Sequence, residues 1–414
     1  MTRLSLAKEK VQILLLEGIH ENAVADLVAD GYTSIARVAG GLDEDELIER
    51  IAGVHLLGIR SRTKLTPKVL AAADRLIAVG CFCIGTDQVA LADARARAVP
   101  VFNAPFSNTR SVAELVMGQI IMLMRGIFPK SAAAHRGEWI KSAANSWEVR
   151  SKTLGIVGYG NIGTQLSVLA ESFGMHVIFY DVSPKLPLGR AEACSSLAQL
   201  LAQADVVSLH VPDTKETRWM MGEAQIRAMR PGSFLINAAR GRVVEVEALA
   251  RAVRDGHLLG AAADVFPDEP ASAAEEFLSP LRGLPNVILT PHIGGSTAEA
   301  QARIGNEVAR KLIDYSNIGA TFGAVNFPQV QLPARPSGTR FMHVHRNTPG
   351  LLAGVLDVFV RRNLNIAAQY LQTDGEIGYV VIDIDGGADE AQEIQADLLA
   401  VAGTIRARYL YDHP

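Results

Sequence analysis

The sequence predicts an α/β protein: two doubly wound parallel-sheet domains followed by a small βαββαβ module. Three observations lead there. Short β-rich runs alternate with helical patterns over the first hundred residues and again from Thr153 onward, and such alternation builds a parallel sheet with helices on both faces. A glycine fingerprint, Gly158-Tyr-Gly160-Asn-Ile-Gly163, stands between an apolar run and a helical pattern at the head of the second series. The tail beyond residue 338 reads strand, helix, strand, strand, helix, strand, which is the ferredoxin-like order.

In the first series the candidate strands are Gln12–Leu16, Thr33–Val38, Val54–Ile59, Leu76–Val79 and Val101–Asn103, with helical stretches such as Glu21–Ala29 and Pro67–Ala72 between them. A long helix is expected over Ser111–Arg125. The second series gives strands at Leu154–Val157, His176–Tyr180, Val206–His210, Phe234–Asn237, Ala261–Asp264 and Val287–Leu289, then a long helical pattern over Ala298–Tyr315. Pro328, Pro333, Pro336, Ser337 and Gly338 give residues 328–338 the composition of a linker. The tail elements are Phe341–His345, Gly350–Arg362, Ile366–Gln372, Ile377–Ile384, Glu390–Val401 and Ile405–Tyr411. Thr348-Pro349 supplies a cap and a first-turn proline, and Leu351, Leu352, Val355, Leu356 and Phe359 form an apolar stripe.

Composition narrows the function classes. The chain has 414 residues, room for two to four domains at roughly 100–200 residues each. It is 49% apolar and 20% charged, with formal net charge −4, the balance of a globular protein with real cores. No Lys/Arg block suggests a nucleic-acid or membrane-surface partner. Three cysteines, Cys81, Cys83 and Cys194, are too few and too scattered for a disulfide framework or a metal site, so no metal is expected. No apolar run is long enough to span a bilayer. The run Val11–Leu16 reads as a first strand instead of a signal peptide, and the cytoplasm is the expected location.

The fingerprint has a physical reading. Gly158 permits the tight turn, Gly160 lets a pyrophosphate approach the backbone, and Gly163 lets helix and strand pack closely. Free N–H groups at the helix start face the anion. Asp181 ends the next strand, where a carboxylate accepts from a ribose 2′-hydroxyl and repels a 2′-phosphate. No arginine follows it directly, so the pattern selects NAD over NADP.

Three further stretches each follow a candidate strand: Asn237-Ala-Ala-Arg240-Gly241, Asp264-Val-Phe-Pro-Asp-Glu269-Pro and Pro291-His292-Ile-Gly294-Gly295. Ligands of open α/β sheets bind beyond the carboxyl ends of the strands. Oxidising a secondary alcohol needs a base for the hydroxyl proton, and histidine titrates in the right range. A carboxylate beside it orients the ring and raises its pKa. An arginine holds a substrate carboxylate through paired hydrogen bonds. The assignment is His292 as acid/base, Glu269 as its partner and Arg240 as the carboxylate clamp. The turn Arg60-Ser61-Arg62, two cations and a hydroxyl after a strand, suits a phosphate or a solvated surface equally by spacing alone.

With these residues in view the chain resembles the D-isomer-specific 2-hydroxyacid dehydrogenases, in particular the branch that acts on a phosphorylated three-carbon acid. The matching stretches are Arg60-Ser-Arg-Thr63, Cys81-Phe-Cys-Ile-Gly-Thr86, Phe102-Asn-Ala-Pro-Phe-Ser-Asn108-Thr-Arg-Ser111, Gly155-Ile-Val-Gly-Tyr-Gly160, Val265-Phe-Pro-Asp-Glu269-Pro270 and Thr290-Pro-His292-Ile-Gly-Gly-Ser296. The resemblance runs over essentially the whole chain. It implies a discontinuous flavodoxin-like substrate domain (1–108 and 296–330), a Rossmann-type NAD domain (109–295), a linker (331–338) and an ACT regulatory domain (339–414). It places the catalytic arginine, glutamate and histidine on Arg240, Glu269 and His292. Its cofactor contacts fall on Gly158, Gly160, Asn161, Ile162, Gly163, Asp181, Ala238, Arg240, Asp264, His292, Gly294 and Gly295. It puts the substrate phosphate on Arg60, Ser61 and Arg62, with Asn108 nearby.

The resemblance further implies oxidation of 3-phosphoglycerate by NAD at the start of L-serine synthesis, with 2-oxoglutarate reduction as a side activity. It also implies a homotetramer, in which Trp139 packs across an interface or in the chain's own core and Lys141 reaches a neighbouring site. L-Serine is the expected effector, held by His345, Asn347 and Asn365 across a domain–domain interface, with His343 beside them. A Gly-Gly hinge of some relatives is here Ser337-Gly338, so the strength of inhibition is expected to differ. The rival readings are a dehydrogenase of an unphosphorylated 2-hydroxy acid, such as 2-hydroxyglutarate or glycerate, and a non-enzymatic NAD sensor on the same fold.

Overall fold

The computed structural model describes residues 6–270, 275–333, 338–386 and 389–410. The chain forms two compact units, one of residues 1–107 with 301–414 and one of residues 108–300.

The first unit opens with a parallel sheet of β1 (Ile13–Leu15), β2 (Ile35–Arg37), β3 (Leu56–Ile59), β4 (Ala78–Cys81) and β5 (Val101–Phe102). Its order is β2-β1-β3-β4-β5, the flavodoxin-like arrangement. The strands are shorter than their apolar runs because the flanking residues turn out into loops. β1, β3 and β4 are buried throughout, as a sheet covered on both faces requires. Two clusters do the covering. One joins Leu15, Leu27, Phe82 and Phe102 to Val308, Leu312 and Tyr315 of the helix Ala298–Ile318. The other joins Leu47, Leu57, Val69, Val79 and Val101 on the opposite face. The helix Glu44–Ile51 begins with a full capping box, Asp43 accepting from the Glu46 N–H while Glu46 reaches back.

The second unit holds a seven-stranded sheet: β6 (Thr153–Val157), β7 (His176–Tyr180), β8 (Glu192–Ala193), β9 (Val206–Leu209), β10 (Ser233–Asn237), β11 (Leu258–Ala263) and β12 (Val287–Leu289). All pairs are parallel, in the order β12-β11-β10-β9-β6-β7-β8. The chain's direction of winding reverses between β6 and β9, the switch point where nucleotides bind. The helix expected from Ser111 begins at Thr109 and runs to Arg125. Gly126, in the left-handed conformation at φ 57°, turns it into the helix Ile127–His135. Among the described residues no single helix is long and apolar enough to cross a membrane, and these two qualify only as a pair bent by 70°.

The C-terminal module has β13 (Thr339–Arg346), β14 (Ile366–Thr373), β15 (Ile377–Ile384) and β16 (Thr404–Leu410), an antiparallel sheet in the order β14-β15-β13-β16. Tyr411 and the linker's Pro336 and Ser337 lie outside the described residues. One face packs on the helices Leu351–Arg361 and Ala391–Ala400 through Phe341, Val355, Phe359, Val380, Ile394 and Leu398. The other face, with Met342, Val344, Tyr379 and Val381, joins the apolar cluster of the first parallel sheet's unit. That double burial explains why β15 is buried at all eight positions. Arg340 is wholly buried there, paired bidentately with Asp383 at 2.6 and 2.7 Å and donating to the Ile318 carbonyl at 3.0 Å.

Candidate active site

In the second unit β6 ends at Val157 and the chain turns sharply. Gly158 sits at φ 93°, and a Cβ there would meet the His210 carbonyl oxygen at 2.5 Å. A Cβ on Gly163 would meet the Gly158 oxygen at 2.3 Å, so the helix Asn161–Ser172 can lie this close to the turn only without one. A Cβ on Gly160 would meet nothing within 4 Å. The turn therefore has two glycines forced by packing and a third that borders open space. That is the arrangement a pyrophosphate needs, and a helix N-terminus with unpaired N–H groups faces it. Asp181 ends β7, accepting from the Tyr159 N–H at 2.9 Å and the Ser183 N–H at 3.0 Å. Burial works to raise its pKa, but these hydrogen bonds and Ser183 Oγ outweigh it and hold the carboxyl below its ordinary value. Asp181 is thus an anion, the form that suits ribose hydroxyls and opposes a 2′-phosphate.

Three loops meet beyond β10, β11 and β12. Asn237 fixes the first: its amide accepts from Ala239 N–H at 3.1 Å and donates to the Arg240 carbonyl at 3.0 Å. Gly241 follows, and a Cβ there would lie 1.9 Å from the Phe266 backbone. This contact presses the Arg240 loop onto the Glu269 loop. Asp264, 2% exposed, builds the third loop. Its carboxylate accepts from Thr290 Oγ1 (2.6 Å), Ile293 N–H (2.9 Å) and Gly294 N–H (2.8 Å). Both oxygens are thus engaged in shaping the histidine loop. Gly294 packs tightly against Asp264 and Val112, and a Cβ on Gly295 would meet the Asn108 amide at 2.4 Å.

Glu269 and His292 meet: Nδ1 and Oε2 are 2.8 Å apart, and the second Glu269 oxygen accepts from Phe266 N–H at 3.1 Å. His292 holds a positive φ of 53°, unusual for a side chain of its size. The Glu269 hydrogen bond raises the His292 pKa; burial and the nearby Arg240 charge oppose it, and Asp264 assists. For Glu269, burial raises the pKa, but the bond to His292 and the charges of His292 and Arg240 prevail and lower it. The histidine is oriented through Nδ1, which frees Nε2 for a substrate proton. Ala238 precedes Arg240 in the same loop, and the half-buried Arg240 donates to the Ala239 carbonyl at 2.8 Å.

Arg60, Ser61 and Arg62 lie on the first unit, in the loop after β3. The turn encloses an internal anion: Glu17, 8% exposed, accepts from the N–H groups of Arg60, Arg62 and Thr63 at 2.9–3.0 Å. The backbone is thereby committed to Glu17, and Ser61 and Arg62 stay exposed. Asn108, on the other unit, is buried at the head of the helix Thr109–Arg125, with its Oδ1 unpaired.

On the C-terminal module, His345 is 3% exposed and packs on Gly378, with His343 at 3.2 Å. Burial lowers both pKa values, that of His343 to about 4. Asn347 donates to the Asp374 carbonyl at 2.6 Å, and Asn365 to Asp385 at 2.8 Å. These residues are not brought together within one chain. His345 pairs with Gly378 and Ile366 pairs with Ile384, so Asn365 lies at the far end of β15, ~20 Å away at roughly 3.4 Å per residue.

Sequence reasoning missed Glu17, Gly241 and His210. His210 follows β9, its carbonyl against the Gly158 turn, and burial holds its pKa down to about 4, hence neutral. Its Nε2 pairs with Ser208 at 2.9 Å and its Nδ1 has no partner. Trp139 is 87% exposed, which removes the intrachain-core alternative. None of the three cysteines forms a disulfide; Cys81 is buried and the other two are half-buried. Among the described residues no cluster of histidine, cysteine and carboxylates is placed to hold a metal ion.

A dinucleotide cradle and a carboxylate-held histidine on one parallel sheet define a dehydrogenase that transfers hydride to a nicotinamide. Comparison with known proteins agrees: residues 117–294 match the family described as D-isomer specific 2-hydroxyacid dehydrogenase, NAD binding domain, and residues 341–406 match the AHAS small subunit-like ACT domain. The chain is 57% identical over 409 residues to D-3-phosphoglycerate dehydrogenase of Haemophilus influenzae, covering 99% of each chain. It is 55% identical over 411 residues to that of Escherichia coli K12, covering 99% of this chain and all of the other (100%). Among solved structures, D-lactate dehydrogenase from Aquifex aeolicus, complexed with NAD and lactic acid, superposes with a TM-score of 0.65. It is 28% identical and covers 73% of this chain and 95% of that one. The chain belongs to the D-3-phosphoglycerate dehydrogenase family.

Proposed function

We propose that this protein oxidises 3-phosphoglycerate with NAD to 3-phosphohydroxypyruvate and NADH, the opening step of L-serine synthesis. The observation that carries the chemistry is the Glu269–His292 hydrogen bond beside Arg240. Relatedness to 3-phosphoglycerate enzymes along the whole chain supports the substrate.

When bound, NAD accepts the hydride from C2; the cradle of Gly158, Gly160, Asn161, Ile162 and Gly163, with Asp181, Ala238 and the 292–295 loop, would hold it. Asp264 contributes by shaping that loop. His292 Nε2 takes the C2 hydroxyl proton, and Glu269 stabilises the imidazolium that results. Arg240 holds the substrate carboxylate through paired hydrogen bonds. Arg60, Ser61 and Arg62 take the phosphate, with Asn108 as a further contact. In the reverse direction His292 donates the proton, and 2-oxoglutarate is a lesser substrate.

L-Serine acts at His345, Asn347 and Asn365. Their separation along β15 means that one chain supplies the first two and a second copy the third. A homotetramer meets that need, and the exposed Trp139 supports a second interface, near which Lys141 would reach a neighbouring site. Three cysteines outside any disulfide suit the cytoplasm.

The test is NADH oxidation by purified protein with 3-phosphohydroxypyruvate, 2-oxoglutarate and hydroxypyruvate, each with and without L-serine. Preference for the phosphorylated keto acid, suppressed by serine, is expected. Turnover of unphosphorylated acids alone would remove the phosphate role of Arg60 and Arg62, and tight NADH binding without turnover would mark a sensor.

A further inference from the structure

The seam between the regulatory strand β16 and the first parallel sheet holds a cavity that none of these roles uses. It encloses about 260 Å³ and is lined by Asp74, Leu76, Arg97, Val99, Ile405 and Arg406, among others. Drug-sized pockets run to roughly 300–1,000 Å³, so this one suits a small ion or a metabolite of a few carbons.

Its charge is unbalanced. Arg406 Nη1 reaches only carbonyl oxygens, Leu76 at 2.8 Å and Ala98 at 3.4 Å. Among the described residues the side chain of Arg97 has no hydrogen-bond or ion-pair partner, and it is exposed. Asp74 is the one carboxylate in the lining. It already accepts from Gly53 N–H at 2.9 Å and faces Arg75 at 4.0 Å. Two residues along β16, on the same face as Arg406, Arg408 has a buried Nη1 with no partner; its guanidinium lies 5.4 Å from the Tyr315 ring centroid. At His55 burial lowers the pKa and Arg75 and Arg408 lower it further, with Asp74 opposing them. Buried and half-buried guanidinium groups are ordinarily paired, and Arg340 and Arg362 of this same module are paired with carboxylates.

We propose that this seam binds a small phosphate-class dianion, inorganic phosphate or a short phosphomonoester, held between Arg406 of the regulatory strand and Arg97 of the segment before β5. Guanidinium forks match phosphate oxygens in pairs. An anion there ties the regulatory sheet to the first parallel sheet at a point separate from the Arg60–Arg62 turn and from His345 and Asn347.

The test is calorimetric titration of the full chain with inorganic phosphate at constant ionic strength. It uses wild type, Arg60→Gln/Arg62→Gln, and the same double variant carrying Arg97→Gln. Phosphate binding that persists in the double variant and weakens about tenfold or more with Arg97→Gln, with an unchanged melting temperature in phosphate-free buffer, is the expected result. Arg97 is exposed, so its replacement leaves the fold intact. Loss of all phosphate binding in the double variant, or residual binding indifferent to Arg97→Gln, would overturn the site. A parallel titration with glycerol phosphate separates the sources: tighter binding than inorganic phosphate assigns a phosphomonoester, weaker binding the free ion.

Discussion

Replacing Glu269 by Gln keeps the shape of the dyad and removes its charge. In the structure the Glu269 oxygens are divided between two donors, His292 Nδ1 at 2.8 Å and Phe266 N–H at 3.1 Å, and the single oxygen of the amide can accept from only one of them. What disappears is stabilisation of the imidazolium. A hydrogen bond to a charged group is worth about 1.5–3 kcal/mol, which at 1.36 kcal/mol per decade corresponds to about 10- to 150-fold in rate. The side chains of His292 and Glu269 are 50% and 36% exposed, so solvent screening favours the lower half, about 10- to 50-fold. The pH profile separates this from a structural effect. Glu269 raises the His292 pKa, so in keto-acid reduction, which needs protonated His292, activity persists to higher pH and falls as pH rises through that pKa. In Glu269→Gln the alkaline limb moves to lower pH. In the oxidative direction, which needs neutral His292, activity rises through the same pKa, and that limb also moves to lower pH. The assay is kcat/KM against pH in both directions. A uniform loss with both limbs unmoved would refute the dyad as the source of the pH dependence.

Gly241→Ala is expected to abolish most activity and lower the melting temperature, because a Cβ would lie 1.9 Å from the Phe266 backbone and overpacking costs about 1–3 kcal/mol; steady-state kinetics with calorimetry checks both. Asp181→Ala is expected to raise the KM for NADH and lower that for NADPH, each by about tenfold, since the carboxylate that repels a 2′-phosphate is gone; equal effects on both coenzymes would contradict its role. His343, held neutral at about 4 against an ordinary 6.5, contributes stability that is full above pH 6.5 and is lost as pH falls through 4. Melting temperature should therefore decline over that window less steeply in His343→Gln than in wild type. Arg95 pairs with Asp374 and Glu376 of the β14–β15 turn, and Asn347 donates to that same turn. Arg95→Gln is expected to change the serine concentration for half inhibition severalfold with kcat unaltered.

The parallel sheets were legible because buried parallel strands read as unbroken apolar runs, as Leu56–Ile59 and Val206–Leu209 do. β8, Glu192-Ala193, has no such run and is exposed, so only its pairing with β7 reveals it. Glu269 and His292 were legible as neighbours because each stands in a loop just past a strand of one sheet. The conditions that hold them there were not. Gly241 and Phe266 are 25 positions apart, and no local pattern announces that their backbones touch. Glu17 looks like the polar residue that closes a strand, yet it is the anion around which the Arg60–Arg62 turn is wound. Local propensity sees neither case, because both are contacts between loops distant in sequence.

The tail teaches the same distinction at the scale of a module. Its βαββαβ order followed from hydropathy, but the order alone suggests a sheet with one wet face. Here that face is dry: Met342, Val344 and Tyr379 join the core of the first unit, the Tyr379 hydroxyl donates to the Gly319 carbonyl at 2.7 Å, and Arg340 reaches Ile318. A module so joined cannot shift without disturbing the end of the helix Ala298–Ile318, which itself packs under the first parallel sheet. An effector bound at His345 and Asn347, as proposed, would therefore act on a body continuous with the sheet that carries the Arg60–Arg62 turn. Asn365, at the opposite end of β15, would join them in the proposed serine site only from a second copy. In the proposed serine site, sensing within the chain and assembly between chains would thus be demands on one sheet, met at its two ends.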